Sequence, residues 1–411
     1  MTKLFKLAWR NVWRNRRRSL ITMGAIFFSV LIIALTRSLQ YGSYDAMESF
    51  AIRLFTGDLQ VQRAGYQEEQ TLAYALREDE RDWDGLLAAQ PWHVAHARRL
   101  TGFGLAGSDE TSAGALIVGI EPEAEPAVSH FLRKIVAGAP LAAGDDHRAV
   151  LGQTLAQNLS LGVGDTVVVI TQGYRNEMGA DLYVVKGLFD SGSAEMDRTT
   201  LVLSLADAQA LFSMPGRFTQ LAVRTDDFRR AGRYAERLEA ALADTTVDVL
   251  DWNALMPELR QMIVLDNASG AIFLAFMLLL IGFEIFNTTM MSVMERVREF
   301  GVLQAIGMKP GQISLLVVLE LLIKVALALA VSLVVTGAAV AYLAGHPIPL
   351  SAELRELYEE FGFSIDALVF SGRPRVFVEP LLSVAAVSLL TIVYPALRVL
   401  RFSPVTALRR A

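Results

Sequence analysis

The chain has 411 residues, 53% of them hydrophobic and 20% charged, with a formal net charge of -5 and a mean hydropathy of +0.37. That is more apolar than an ordinary soluble domain of this length. Cysteine is absent, which excludes disulfides and thiolate chemistry and leaves any exposed domain to stand on its core alone.

The N-terminal stretch, 1–18, is basic and patterned. Phe5, Trp9, Val12 and Trp13 recur at i, i+4, i+7 and i+8, while Lys3, Lys6, Arg10, Arg14 and Arg17 fill other positions. This spacing predicts an amphipathic interfacial helix with the Trp9 and Trp13 indoles at headgroup depth, beside Arg10 and Arg14. An apolar run over 19–41 follows, with Arg37 near its far end, and is long enough to cross a hydrocarbon core of roughly 30 Å, which takes about 20 helical residues. A cleavable signal peptide shares the basic-then-apolar order. This run is longer than a signal core, however, and no small-x-small site follows at Gln40-Tyr41-Gly42, so a retained span is expected.

Residues 42–267 have the composition of a globular domain. Short apolar stretches predict strands over Gly57–Gly65, Ala115–Pro122, Asp165–Gly173, Leu182–Phe189, Arg198–Ser204 and Thr219–Thr225. Helical spacing marks Leu151–Ser160, Leu205–Ser213 and Phe228–Asp244. Without strict alternation of the two kinds of element, the expected class is α+β. Its two ends, Ser38–Phe55 and Ala254–Gly270, keep apolar spacing while admitting charge, as helical stalk extensions of the neighbouring spans would.

Three more spans are expected over 268–294, 312–344 and 376–397. They are separated by a patterned polar segment over 295–311 and an acidic loop over 345–375 (Glu353, Glu356, Glu359, Glu360), and followed by a tail over 398–411. Basic residues near span ends stay on the cytoplasmic side. The N-terminal cluster, the 295–311 segment (Arg296, Arg298, Lys309) and the tail (Arg398, Arg401, Arg409, Arg410) all fall on one face when four spans are threaded. The expected class is therefore a membrane protein with four transmembrane helices and a large extracytoplasmic α+β domain between the first and second helices. In a multi-pass protein of the cytoplasmic (inner) membrane, that domain would lie on the periplasmic or extracellular side.

Chemistry-bearing patterns do not emerge. There is no phosphate-binding GxxxxGK[ST] loop and no HExxH, and the five histidines, His93, His96 and His147 among them, lack metal-ligand spacing. Ser108, Asp109 and His130 occur without a nucleophile elbow. Gly162 and Gly164 read as a turn entering a strand. No catalytic residue, metal site or cofactor is expected, and nothing points to nucleic acid.

The 295–311 segment is too polar to span and too long for a hairpin that Lys309-Pro310-Gly311 alone could make. Its charges and small apolar residues predict a short surface helix that docks on another protein. This stretch resembles the cytoplasmic coupling segment of the FtsX-like permeases, the membrane subunits of ABC transporters that include the macrolide exporter and the lipoprotein-releasing complex. That pattern reads ERxxEIGxLRAIG followed by xxxQI. Glu295, Arg296, Glu299, Gly301, Leu303, Ala305, Ile306, Gly307, Gln312 and Ile313 match it, with Phe300 in place of the usual Ile and Gln304 in place of the usual Arg. Leu7–Thr22, Ala149–Val169 and Tyr394–Arg410 also resemble family segments.

The resemblance implies a non-catalytic subunit that pairs with a second permease, the same chain or a homologue. Two copies of a separate ABC ATPase would serve the pair, docking on Glu295, Arg296, Arg298, Glu299, Phe300, Gly301, Ala305 and Gly307. ATP-driven motion would pass through the stalk to the outer domain, acting on a lipoprotein, lipid or amphiphilic compound, with membrane lipid as the surrounding partner. The alternative is a signalling permease that switches an outer partner such as a cell-wall hydrolase.

Three ionisable residues fall within the spans: Glu284, Glu320 and Lys324. At 1.5 Å per residue they lie about 15, 12 and 18 Å from the cytoplasmic face. An isolated ion there costs about 2.5–3.5 kcal/mol, so partners are expected. Glu320 and Lys324 can pair at i, i+4. Glu284 is expected to face the third span or the partner permease close to Lys324, or to remain protonated.

Overall fold

The computed structural model describes residues 2–360 and 367–401. The side chains of Glu356, Glu359 and Glu360, residues 361–366, and the tail from 402 with Arg409 and Arg410 lie outside the described residues.

The chain opens with helix α1 (Thr2–Arg14) and, after a turn at Asn15, α2 (Arg16–Ala51), which passes into a π-helical turn over Ile52–Thr56. Next come β1 (Leu59–Arg63), β2 (His93–Gly107), β3 (Ser112–Ile120), β4 (Ile135–Gly138), β5 (Arg148–Gly152) and α3 (Gln153–Asn158). They are followed by β6 (Thr166–Gln172), β7 (Met178–Phe189), β8 (Thr200–Ser204), α4 (Leu205–Leu211), β9 (Gln220–Thr225), α5 (Ala231–Leu242) and β10 (Val247–Asp251). Then come α6 (Pro257–Glu295), α7 (Val297–Ala305), α8 (Pro310–Gly345) and α9 (Arg375–Leu400).

Among the described residues, four helices are long and apolar enough to cross a bilayer, and they are the α2, α6, α8 and α9 helices. Two of them outrun the apolar stretches that announce them. The first starts at Arg16 and persists to Ala51, and α6 starts at Pro257. An apolar run marks only the part of a helix that suits hydrocarbon, whereas the helix itself extends as far as its backbone hydrogen bonds are kept. The expected helix over 1–18 is accordingly shorter: Arg16, Arg17 and Arg18 belong to α2.

The fold divides into two compact units, one made of Met1–Asp45, Ile263–Pro349 and the chain from Ala367, the other of Ala46–Met262 with 350–366. In the second unit, all six expected strands are present and β2, β4, β5 and β10 join them. Pairing runs β2–β3–β8–β5–β7–β6 and returns from β6 to β2, closing a six-stranded ring. The N-terminal half of β2 pairs instead with β9, which leads through β1 to β10, an antiparallel wing. One strand of fifteen residues thus serves two layers, each with its own core. The ring encloses Ile117, Leu151, Val169 and Tyr183 under α3 and α4. The wing packs Leu59, Leu221 and Val249 under α5 through Tyr234 and Leu238.

Where β2 meets the π-helical turn after α2, a buried ion pair replaces apolar packing. Arg99, fully buried, donates from Nε and Nη2 to Glu125 at 2.9 and 2.5 Å, and Nη1 donates to the Phe55 carbonyl. Its guanidinium also lies 4.2 Å from the Phe55 ring centroid. Stripping water from both charges costs several kcal/mol per ion, roughly repaid here, where each guanidinium nitrogen has an acceptor.

In the first unit, one cluster draws from every span: Ile26, Val30 and Ile33 of α2, Ile281 and Ile285 of α6, Leu321, Val325 and Ala328 of α8, and Val384 and Ile392 of α9. Spacings of three, four and, in α9, eight keep these side chains on one face of each helix. The outward faces carry exposed Phe28, Leu279, Val334 and Leu390, as lipid contact demands. Polar links at one end tie the bundle: Arg37 to Glu379, Arg373 to Asp45, and Tyr44 to Asp266.

Candidate functional site

The site is built where α1, α6, α7 and α8 converge within the first unit. The first helix lays Ala8 and Val12 against Leu316 and Ile323 of α8. Phe5, Trp9 and Trp13 stay exposed, with the two indoles edge to face at 6.0 Å between centroids, and Arg10 is exposed beside them. Val12 therefore does not share the indole face, as its spacing suggested. A narrow inner face buries Ala8 and Val12, and a second face presents the aromatic rings outward.

This packing points Asn11 toward α8 and Arg14, about one turn on, toward α7. Arg14 Nη2 donates to both oxygens of Glu299 at 2.6 Å, and Arg296 Nε reaches the same carboxylate at 3.0 Å. Arg296 Nη1 continues to Glu320 Oε2 at 2.7 Å, and Asn11 Nδ2 donates to Glu320 Oε1 at 2.7 Å. The contacts form a loop that leaves α1 at Arg14 and returns to it at Asn11. Arg18, one turn into α2, adds a two-pronged pair with Glu295, the last residue of α6. Partial burial raises the Glu299 pKa, but Arg14 and Arg296 outweigh it and hold the carboxyl below its ordinary value.

The geometry of α7 follows from its ends. Arg296 breaks α6 from α7 with a non-helical backbone angle (φ -100, ψ 11). At the other end Gly307 adopts φ +107, and the amides of Gly307 and Met308 donate to the carbonyls of Gln304 and Leu303, both at 3.0 Å. This is a Schellman stop, which a glycine in the left-handed region makes at least cost. A side chain at 307 would meet open space, so the constraint is on the backbone alone. Gly307→Ala is expected to weaken the stop by about 1 kcal/mol and Gly307→Asn by less, as thermal unfolding of the purified full chain would show. Two residues on, Gln312 accepts from the Lys309 amide at 3.0 Å and caps α8.

The residues singled out from the sequence thus separate by role. Phe300 and Gly301 face inward, Phe300 packing with Val293, Ile313, Val317 and Val399. Arg298, Val302, Ala305 and Ile306 face outward, Ile306 being 79% exposed. Glu295 and Glu299, read as docking charges, are held by Arg18 and Arg14. Asn11 and Arg18 had no sequence signal beyond membership in a basic cluster.

The intramembrane charges also rearrange the expectation. Glu320 is buried, and its two oxygens are taken by Asn11 and Arg296, so the expected i, i+4 pair with Lys324 is not formed. Glu284 lies on an exposed face of α6 and accepts from Thr288 at 3.2 Å; it makes no pair with Lys324. Helix α6 turns Ile281 and Ile285 into the bundle, which leaves position 284 outside.

Residues 271–404, which hold α6 to α9, match the family model for the FtsX-like permease C-terminal region. Residues 19–241, more than half of the chain, match that for the MacB-like periplasmic core domain. The chain belongs to the FtsX-like permeases with a MacB-like periplasmic core domain. Among curated relatives, the permease is 26% identical over 312 residues to the lipoprotein-releasing system transmembrane protein LolC of Xylella fastidiosa (strain Temecula1), covering 72% of this chain and 73% of that protein. It is also 26% identical over 234 residues to the protein of the same name from Neisseria meningitidis serogroup B, covering 55% of this chain and 54% of that one. Solved structures similar to it include the periplasmic region of MacB from Actinobacillus actinomycetemcomitans (14% identity, 52% of this chain and 95% of that one, TM-score 0.36). Another is the extracellular domain of the transporter YknZ from Gram-positive bacteria (12% identity, 47% and 99%, TM-score 0.34). The permease is a multi-pass membrane component of an ABC transporter of this type. Its family-pattern residues have local tasks visible in the structure: Gly307 stops α7, Gln312 starts α8, and Ile313 fills the pocket under Phe300.

Proposed function

We propose that the permease receives motion from a separate ABC ATPase through α7 and passes it to its outer domain, where it acts on a lipoprotein, lipid or amphiphilic compound. Two ATPase copies and a second permease, the same chain or a homologue, complete the assembly in the cytoplasmic membrane. The observation that carries this reading is the outward face of α7. With Glu295 and Glu299 held by arginines and Phe300 buried, what remains for a partner is Val302 and Ile306 flanked by Arg298 and Lys309. That surface suits an apolar groove with an acidic rim. Support for the substrate class comes from the relatives named for lipoprotein release, and support for transmission from α2, which stays helical from Arg16 to Ala51.

Purification of the tagged full-length permease from its own cells tests the reading. An ATPase subunit is expected to co-purify and supply all ATP hydrolysis, with a lipidated or amphiphilic compound found by mass spectrometry. Hydrolysis by the permease alone, or a preparation in which no ATPase subunit accompanies it, would overturn the proposal.

A further inference from the structure

Four cations and three carboxylates meet where α1, α6, α7 and α8 converge. Arg14, Arg18 and Arg296 are matched to Glu299, Glu295 and Glu320. Lys324 is left over: it makes no hydrogen bond or ion pair with any described residue. Its side chain nevertheless lines the same small cavity as Arg296 and Glu320, together with the hydroxyl residues Thr22, Thr288, Thr289 and Ser292. The cavity, about 20 Å³, has room for one water, which hydroxyls and an ammonium can hold. Lys324 stands one helical turn beyond Glu320 on α8, with the acid on the N-terminal side, the favourable order for an i, i+4 pair. The Glu320 charge attracts it across the cavity, while Arg296 and Arg18 act on it as like charges.

A buried carboxylate in a span cannot lose its cation cheaply. Arg296 sits at the break before α7, so any displacement of α7 by a docked partner pulls directly on the Arg296–Glu320 pair. We propose that Lys324 is a positioning residue for coupling, the reserve cation of Glu320: when α7 withdraws Arg296, Lys324 turns onto the vacated carboxylate oxygen. The inference rests on the reading of α7 as the receiving element. It gives the charge network two arrangements of similar energy, which is what a two-position element needs. In the present arrangement Asn11 holds one oxygen of Glu320 and Arg296 the other. In the second, Asn11 stays and Lys324 replaces Arg296, with repulsion between the two cations relieved as Arg296 departs.

A double-mutant cycle on the full-length permease in lipid nanodiscs tests the exchange, with thermal unfolding as the readout. Lys324→Met alone is expected to leave the midpoint unchanged or raise it, since it removes an unmatched, half-buried cation. Arg296→Gln alone is expected to lower it modestly, because Lys324 takes over, and the double variant should fall by more than the sum. A midpoint already lowered in Lys324→Met, or strict additivity, would overturn the proposal by making Lys324 a static or irrelevant group. Lys324→Met should also reduce stimulation of the partner ATPase by on the order of tenfold, within the range for coupled network residues, and Lys324→Arg should restore it. Native stimulation in Lys324→Met would show that coupling does not use the exchange. If even the unaltered permease stimulates no ATPase, the reading of α7 fails, while the unfolding cycle still judges the exchange.

Discussion

Replacing Arg99 with methionine is expected to destabilise the second unit by about 3–5 kcal/mol, the cost of leaving a buried carboxylate without its cation. Glu125 is as buried as Arg99 and is otherwise held by Ser129, a neutral donor that cannot balance the charge. The Phe55 carbonyl loses a donor in the same step. The double replacement Arg99→Met with Glu125→Leu removes both charges and is expected to recover most of the loss, leaving about 1–3 kcal/mol for the unpaired carbonyl and hydroxyl. Chemical unfolding of the full-length permease, followed through the tryptophans of this unit, distinguishes the two variants. Equal losses in both would mean that Arg99 acts by volume and not by charge. Since Phe55 belongs to the π-helical turn that ends the first long helix, the single variant should also free this turn to proteolysis before the sheet itself unfolds.

The location of this pair explains why it was not legible in the sequence. Six strands are readable because short runs rich in β-branched and aromatic residues are bounded by turn residues, as in the Leu182–Phe189 stretch of β7. The strand β2 is not, although it is the longest, because RRLTGFGLAG reads as a turn-rich polar segment. Its glycines answer to neighbours distant in sequence. A side chain at Gly104 would collide with the Ile170 carbonyl at 2.8 Å and with Ile117 at 2.8 Å, and one at Gly102 with the Phe212 ring. Close approach of two layers demands glycine there, and no local pattern carries that information. The spans were legible for the opposite reason, since twenty apolar residues have few alternatives to a membrane helix.

At the candidate site the same division holds. The segment that forms α7 is recognisable from its alternation of charge and small residues, and Gly307 from its place in the family pattern. The partners of Glu295 and Glu299 were not recognisable. Arg18 and Arg14 lie 277 and 285 residues away, within a basic cluster whose charges are equally explained by membrane topology. Periodicity places a residue on a face of its own helix. It does not choose which of seven cations in the N-terminal stretch will reach a given carboxylate. The mispaired expectation for Lys324 has the same origin, because an i, i+4 neighbour on one helix lost to an arginine from the adjacent break.

The charges around α7 permit a direct test of the account. Reversing both carboxylates, Glu295→Arg with Glu299→Arg, is expected to lower stimulated ATP hydrolysis by roughly tenfold, because attraction to Arg14, Arg18 and Arg296 becomes repulsion, and α1 and α2 no longer hold α7 and the end of α6 in place. Exposed pairs of this kind stabilise a fold little, so membrane insertion and yield should remain near native. If the carboxylates serve α1 and α2, then adding Arg14→Glu and Arg18→Glu restores opposite charges across those two contacts and leaves only Arg296 facing a like charge at position 299. If they serve the ATPase instead, those two changes repair nothing. The decisive measurement is therefore the ATPase activity of the co-reconstituted complex in three forms: native, doubly reversed and fully exchanged. Loss in the second and partial recovery in the third is the predicted result, and equal loss in both, with native levels of inserted permease, would contradict the account.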